Sequence, residues 1–201
     1  MRILLVLLAV SAAAGHRLAG GGEAPPVGAS TAVRLDVEGL LQHADLAVEA
    51  RVVGVHALEQ PDGRIETEYE LDVDRTFWGD DVPARAVRVP GGVLPDGRGM
   101  LVPGLPRLAA GERSLLFFSE ASAGGARMPV GLAQGRLRVA SGADGDKVLV
   151  RELGALGLVD PGGTVHEPGA LGVLDYADVL ARLEAAAAAR RAAAFARTED
   201  E

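Results

Sequence analysis

Cysteine is absent from this chain of 201 residues. Its absence excludes disulfide bonds, a thiol nucleophile and any metal site with thiolate ligands. It also excludes a lipid anchor where the sequence is similar to a lipoprotein signal, because Leu18-Ala19-Gly20 is followed by Gly21 instead of the lipidated cysteine. The stability of the folded part must therefore come from packing.

Basic residues are fewer than acidic ones, with 20 Lys and Arg against 28 Asp and Glu and a formal net charge of −8. Proteins that bind nucleic acid neutralise phosphates with clustered Lys and Arg, so we expect no nucleic-acid partner. Aromatic residues make up 3% of the chain, but a hydrophobic fraction of 48% suffices for one core. The length favours a single domain.

Signatures of common enzymes are also missing. The chain has no HExxH helix, no G-x-S-x-G elbow, no P-loop and no glycine-rich dinucleotide fingerprint. Beyond residue 19 there are three histidines, His43, His56 and His166, and His166-Glu167 stands alone in a Gly/Pro-rich loop. We therefore expect no catalytic residues of a familiar kind, no cofactor and no metal.

The N-terminus has the order of a secretory signal: Met1-Arg2, a short apolar run to Val10, and then small residues. We predict a signal peptide over residues 1–19, cleaved after Ala14 or Ala19; the alternative is a buried N-terminal helix. The apolar run is shorter than the roughly 20 residues that span a bilayer. We therefore expect a secreted or periplasmic protein with no membrane span in its mature chain.

Gly and Pro dominate residues 20–30, which indicates a flexible linker. A β-barrel domain is predicted over 31–160. It begins with a short helix, Val37 to His43, capped by Asp36. Alternating strands follow at 46–58 and 64–77, joined by the turn Pro61-Asp62-Gly63, with a bulge or bend at Gly54. This register places His56 on the barrel-facing side, opposite about Tyr69.

Shorter strands are predicted at 85–89, 114–119, 127–132, 135–140 and 147–151, at the spacing of a closed or partly closed antiparallel barrel. The expected fold is thus mainly β, an OB-like barrel with a short N-terminal helix and a C-terminal α-helix. Residues 161–201 are predicted to be a loop and an Ala-rich helix that Asp175 caps and whose first half docks. The loop from Pro90 to Pro106 is predicted to be either a cover or a binding rim.

Five carboxylates share one face of the second long strand: Glu66, Glu68, Glu70, Asp72 and Asp74. Such a row can bind a cation or a basic partner, but a solvated outer face explains it as well, with Arg51 beside Asp74. Asp144-Gly145-Asp146 is better interpreted as a hairpin turn than as a calcium loop.

Strand and glycine-turn motifs follow one another between residues 35 and 150: HADLAVEARVV (43–53), FWG (77–79), PGG (90–92), VPGLP (102–106), AGERSLLFF (110–118) and VGLAQGRL (130–137). Their order resembles a family of exported bacterial domains that occur alone or ahead of matrixin-type metalloprotease domains. The resemblance implies a fold more firmly than an activity, and it implies an extracellular protein such as a metalloprotease as the partner.

Two of these segments, ADLAV (44–48) and FWG (77–79), are also similar to the netrin-like modules and the tissue inhibitors of metalloproteinases. That similarity implies an OB barrel. Those inhibitors reach the protease zinc through an N-terminal cysteine, which this chain lacks.

The sequence therefore favours an exported, non-enzymatic domain that binds a partner through the loop, with Val102, Leu105 and Arg107 as candidates, or through the acidic strand face, with Glu68, Glu70 and Asp72. A first alternative is an inhibitor or accessory subunit of an extracellular metalloprotease. A second is an enzyme whose site combines Glu68, Asp72 and His56, although the predicted register places His56 on the opposite sheet face from the carboxylates.

Overall fold

A computed structural model describes residues 30–166 and 171–199. The predicted signal peptide, the linker up to residue 29 and Glu167 lie outside these ranges. The fold is mainly β, and the described residues include two α-helices. The elements are β1 (Thr31–Val33), α1 (Val37–His43), β2 (Leu46–Glu59), β3 (Ile65–Trp78), β4 (Ala84–Pro90), β5 (Gly92–Val93), β6 (Gly99–Met100), β7 (Arg113–Phe118), β8 (Arg136–Ser141), β9 (Lys147–Glu152), β10 (Gly157–Val159), β11 (Val165–His166), β12 (Leu171–Asp175) and α2 (Tyr176–Glu199).

Seven strands form one antiparallel sheet in the order β12-β9-β8-β7-β2-β3-β4. The predicted long hairpin of β2 and β3 is confirmed. Four of the five shorter predicted strands are also confirmed, and their ends lie within two residues of the predicted ends. The predicted helix α1 and its cap are confirmed, since the Asp36 carboxylate accepts a hydrogen bond from the Gly39 N–H at 2.8 Å.

His56 does not lie on the predicted face of the sheet, because β2 contains a bulge. The pairing register shifts between Val52 and Gly54, which confirms the irregularity expected at Gly54. One extra residue in a strand reverses the alternation of side chains beyond it. Val55 therefore pairs with Tyr69, and His56 pairs with Glu68 on the opposite face from the predicted one.

The strand predicted at 127–132 is wrong. This segment makes two isolated bridges, Arg88 with Ala126 and Phe118 with Pro129, and then enters a 3-10 turn at Leu132–Gly135. Pro129 has no N–H to donate to a sheet ladder. Gly131 adopts a φ of 63°, which ends extended backbone.

Buried apolar side chains lie on both faces of the main sheet. On one face, which we call the helix face, α1 and α2 cover a core that includes Ala47, Phe77, Leu115, Phe117, Leu137 and Leu149. On the other, which we call the cleft face, the core includes Leu46, Val48, Ala50, Val52, Tyr69, Leu71, Val87, Val89, Leu108, Leu116 and Phe118. The central strands thus contribute to two cores.

Helix α2 docks by the first part of its length, as predicted, and the surface that it covers is its own sheet. The Asp175 carboxylate accepts from the Asp178 N–H at 2.7 Å and caps the helix. The docked stripe consists of Val179, Leu180, Leu183 and Ala187, all buried on the helix face. The described residues from Arg191 to Arg197 are exposed.

Polar contacts fix the same helix. The Tyr176 hydroxyl donates to the buried Glu49 carboxylate at 2.9 Å, and burial together with Glu49 raises the pKa of Tyr176 to about 12. Arg190 donates to the Leu41 and Ala44 carbonyl oxygens at the end of α1, and its guanidinium lies 3.7 Å from the centre of the Trp78 ring. The two hydrogen bonds from Arg190 satisfy carbonyls that the end of a helix leaves without intrahelical partners. The contact with Trp78 is a cation–π interaction.

The sheet does not close through its own edges. Within the described residues, the edge strands β4 and β12 do not pair with each other. The OB-like barrel therefore stays a prediction, while the large antiparallel sheet and the C-terminal helix are confirmed.

Candidate functional site

A cleft opens on the cleft face beneath the segment from Pro90 to Leu108. Its volume is about 260 Å³. The floor comes from β2, β3 and β4, and the wall comes from the small β5–β6 hairpin and the chain that follows it. The lining is largely apolar: Val55, Ala57, Val89, Val93, Met100, Leu101, Val102, Leu105, Pro106 and Leu108, with Thr67, Tyr69 and Arg107 as its polar side chains. Mostly apolar lining with a few polar groups is typical of a binding site.

Two glycines anchor the cleft wall to the sheet. The buried Thr67 hydroxyl donates to the Gly91 carbonyl at 2.7 Å, and the Gly91 N–H donates to the Ile65 carbonyl at 2.7 Å. Gly92 has a φ of 147°, and a Cβ there would collide with the Thr67 hydroxyl. The glycine pair therefore lets the loop backbone approach β3 closely enough to fix the wall.

Tyr69 supplies a phenol at the inner end of the cleft. The residue is 6% exposed. Burial raises the pKa of the Tyr69 phenol above its ordinary value, although the backbone N–H of Leu108 and the charge of Arg107 act in the opposite direction. Leu108 and Arg107 thus both act on the Tyr69 phenol, and all three residues line the cleft.

Arg107 is exposed and forms no hydrogen bond or salt bridge with the described residues. Arg98, in the same long loop, differs sharply: it binds the Glu59 carboxylate at 2.7 Å and the Asp96 carboxylate at 2.9 Å. The cleft therefore presents a cation without a carboxylate partner from the described part of the chain.

The structure brings three of the predicted site residues together in the cleft and places the other three on the opposite face of the sheet. Val102, Leu105 and Arg107 all line the cleft. The remaining candidates, Glu68, Glu70 and Asp72, alternate with Thr67, Tyr69 and Leu71 along β3 and so lie on the opposite face. Sequence reasoning did not select Thr67 and Tyr69 as site residues, although polar side chains on the inner face of a strand were a usable signal.

Basic neighbours accompany most of the acidic row. Asp74 accepts from Arg113 at 2.8 Å rather than from the predicted Arg51, which pairs in register with Asp72. Glu66 is 2% exposed and lies 3.6 Å from Arg88, so the prediction of a solvated face is wrong at this residue. Within the described ranges, no group of three or more His, Asp and Glu side chains is arranged to hold a metal ion.

Two of the histidines, His56 and His166, lie beside carboxylates. The His56 Nε2 lies 3.3 Å from the Glu70 carboxylate, and because of the bulge His56 shares the face of Glu68 and Asp72, which corrects the prediction of opposite faces. The His166 Nε2 lies 2.6 Å from the Asp160 carboxylate. Asp144-Gly145-Asp146 forms the predicted hairpin turn between β8 and β9.

A buried ion cluster, absent from the predicted site, lies at the end of the cleft-face core. Arg136 donates to both oxygens of Glu112 at 2.7 Å and to Glu152 at 2.8 Å, while Ser114 donates to Glu112 at 2.6 Å. Burial acts to raise the pKa of Glu112, but the hydrogen bonds from Arg136 and Ser114 outweigh it and hold that pKa below its ordinary value. The cluster is fully paired, which suits a structural role.

Comparison with known proteins gives no relative: no family model, no curated protein and no solved structure matches the chain. In residues 30–166 and 171–199, no helix combines the length and hydropathy that crossing a membrane requires.

Proposed function

We propose that this protein is an exported, non-enzymatic binding domain of the OB-like barrel type, and that it binds a partner protein in the cleft formed by Val102, Leu105 and Arg107. The observation that carries this proposal is the convergence of these residues on one apolar cleft with a fixed wall. Exported character is supported by the signal-like order of residues 1–19.

Exposed apolar side chains extend the cleft outward. Leu101 is 61% exposed and Val93 is 56% exposed, and both line the cleft. Contiguous apolar surface around a concave site with a polar rim is characteristic of protein recognition. On the acidic face of β3, Arg88 pairs with Glu66 and Arg113 pairs with Asp74, while Glu68, Glu70 and Asp72 lie outside the cleft, so this face is the weaker candidate.

The barrel assignment is supported by the two isolated bridges. Arg88 on the edge strand β4 pairs with Ala126, and Pro129, three residues later, pairs with Phe118 on β7. Together with β2 and β3, this segment surrounds the cleft-face core. A strand-like segment in the gap between β4 and β7 is what an OB-like closure would require.

Replacing Leu101 with Asp tests the proposed surface. We expect the affinity for a partner captured from the host's exported proteins to fall at least about tenfold, because a charge would enter apolar contact surface. Leu101 is exposed, so folding should be unaffected. The measurement is an affinity titration with the mature chain, and Val102→Ala and Leu105→Ala should weaken binding in the same direction.

The matched control is Val173→Asp on β12, a position that is 65% exposed and remote from the cleft lining. Equal binding by the Leu101 and Val173 variants would contradict the proposal. If the captured partner is a metalloprotease, enzyme assays with the bound complex would then distinguish an inhibitor from an accessory subunit.

A further inference from the structure

Arg107 sets the chemistry that the cleft recognises. In a chain with eight more acidic than basic residues, this guanidinium still has no carboxylate among the described residues. Arginine presents donors in a planar fork that matches a carboxylate. The charge at the cleft is therefore complementary to an anion supplied from outside.

Besides Arg107, the cleft contains the phenol of Tyr69, on which the Leu108 backbone N–H acts. Around them the lining is aliphatic, with Val89, Val102 and Leu105. A ligand that satisfies this arrangement combines a carboxylate with an adjoining apolar group.

The size of the cleft limits how far apart these two groups can be. A volume of about 260 Å³ is below the roughly 300–1,000 Å³ of pockets that enclose whole small-molecule ligands. It suits one or two aliphatic side chains. A polypeptide C-terminus carries its carboxylate one carbon away from the base of its last side chain, so both groups can enter together.

We propose that the cleft binds the C-terminus of a partner polypeptide that ends in an aliphatic residue, with Arg107 holding the terminal carboxylate and the aliphatic lining holding the last side chain. This inference rests on the proposed function, since it names the part of the partner that the same cleft receives. Recognition of a chain terminus through its carboxylate is a known mode of peptide binding.

The test compares two pools of labelled nine-residue peptides, randomised except for a last residue of Leu, Ile or Val, with a free C-terminal carboxylate in one pool and a C-terminal amide in the other. Fluorescence polarisation against the mature chain should show the acid pool binding about tenfold or more tightly than the amide pool, which is the range of a hydrogen bond to a charged group. Arg107→Gln should abolish this difference, and Arg107→Lys should retain part of it because it keeps the charge.

Arg51→Gln is the matched control, since Arg51 is also exposed and lies outside the cleft. Its discrimination between the pools should equal that of the unchanged chain. Equal binding of acid and amide pools, or no binding of either, would overturn this inference. Binding of dodecanoate without binding of the acid pool would also overturn it, in favour of a lipid ligand.

The peptide experiment and the capture experiment test different claims. The proposed function fails only if the Leu101→Asp and Val173→Asp variants bind the captured partner equally. A loss of capture specific to Leu101→Asp, combined with equal binding of the two peptide pools, would leave the cleft as the binding site and remove the terminal carboxylate from its recognition.

Discussion

Replacing Arg136 with alanine is expected to lower the free energy of unfolding by about 3–5 kcal/mol. Arg136 is 8% exposed and is the shared partner of Glu112 and Glu152. Its removal leaves the Glu112 carboxylate, whose side chain is 10% exposed, without its counter-charge. Equilibrium unfolding in urea at pH 7 measures the loss.

Arg138→Ala provides the matched control, because Arg138 is 34% exposed and forms its ion pair with Glu152. Its loss should stay near or below about 1 kcal/mol. The double change Arg136→Met with Glu112→Gln should cost less than Arg136→Ala, since no uncompensated charge remains. Equal effects of Arg136→Ala and Arg138→Ala would contradict the buried cluster.

Acid should remove the same stabilisation. The pKa of Glu112 in the folded protein is lower than its ordinary value of 4.5, so the stabilisation is present above pH 4.5 and is lost as the pH falls through the lower folded pKa. Hydrogen bonds from Arg138 and Arg136 likewise lower the pKa of Glu152. The Arg136→Ala variant should therefore show a smaller loss of stability below pH 4.5 than the unchanged chain.

Replacing Leu183 with alanine is expected to lower the free energy of unfolding by about 2–5 kcal/mol, the usual range for a buried leucine. Leu183 has no exposed surface and packs with Phe77, Leu115 and Val179 on the helix face. Urea unfolding again measures the change. An unchanged m-value would indicate that unfolding exposes the same surface area, and therefore that α2 is still docked in the folded variant.

Glu184→Ala is the control for that variant, because it changes the next residue of α2 on its exposed side. Glu184 pairs with Arg75 at 2.6 Å, and its side chain is 60% exposed. Exposed pairs contribute about 1 kcal/mol or less. A Leu183→Ala variant as stable as Glu184→Ala would mean that α2 does not pack on this sheet in solution.

Local sequence signals predicted the elements that depend on short-range chemistry. The Asp36 cap, the alternation of β3 from Thr67 to Val73 and the Asp175 cap each act within a few residues, and each lies where the sequence indicated. Polar and apolar residues alternate with a period of two along half-buried strands, so the hairpin was recognisable as well.

Features that depend on contacts between distant parts of the chain were harder to predict from the sequence. One extra residue near Gly54 reversed the face of His56, and no residue-level signal gives the length of a bulge. In the Glu112–Arg136–Glu152 cluster, Arg136 lies 24 positions from Glu112 and 16 positions from Glu152 in the sequence. Val102, Leu105 and Arg107 were selected from the long loop, whereas the contribution of Thr67 and Tyr69 depends on how that loop folds back on β3.

Hydroxyl-radical footprinting of the chain, alone and bound to its captured partner, tests the location of the binding surface most directly. Met100 and Leu101 line the cleft, whereas His56 is exposed on the opposite face. The proposed function predicts that labelling of Met100 and Leu101 falls in the complex while labelling of His56 is unchanged. Protection of His56 with undiminished labelling of Met100 and Leu101 would contradict the cleft as the binding site and assign binding to the acidic face.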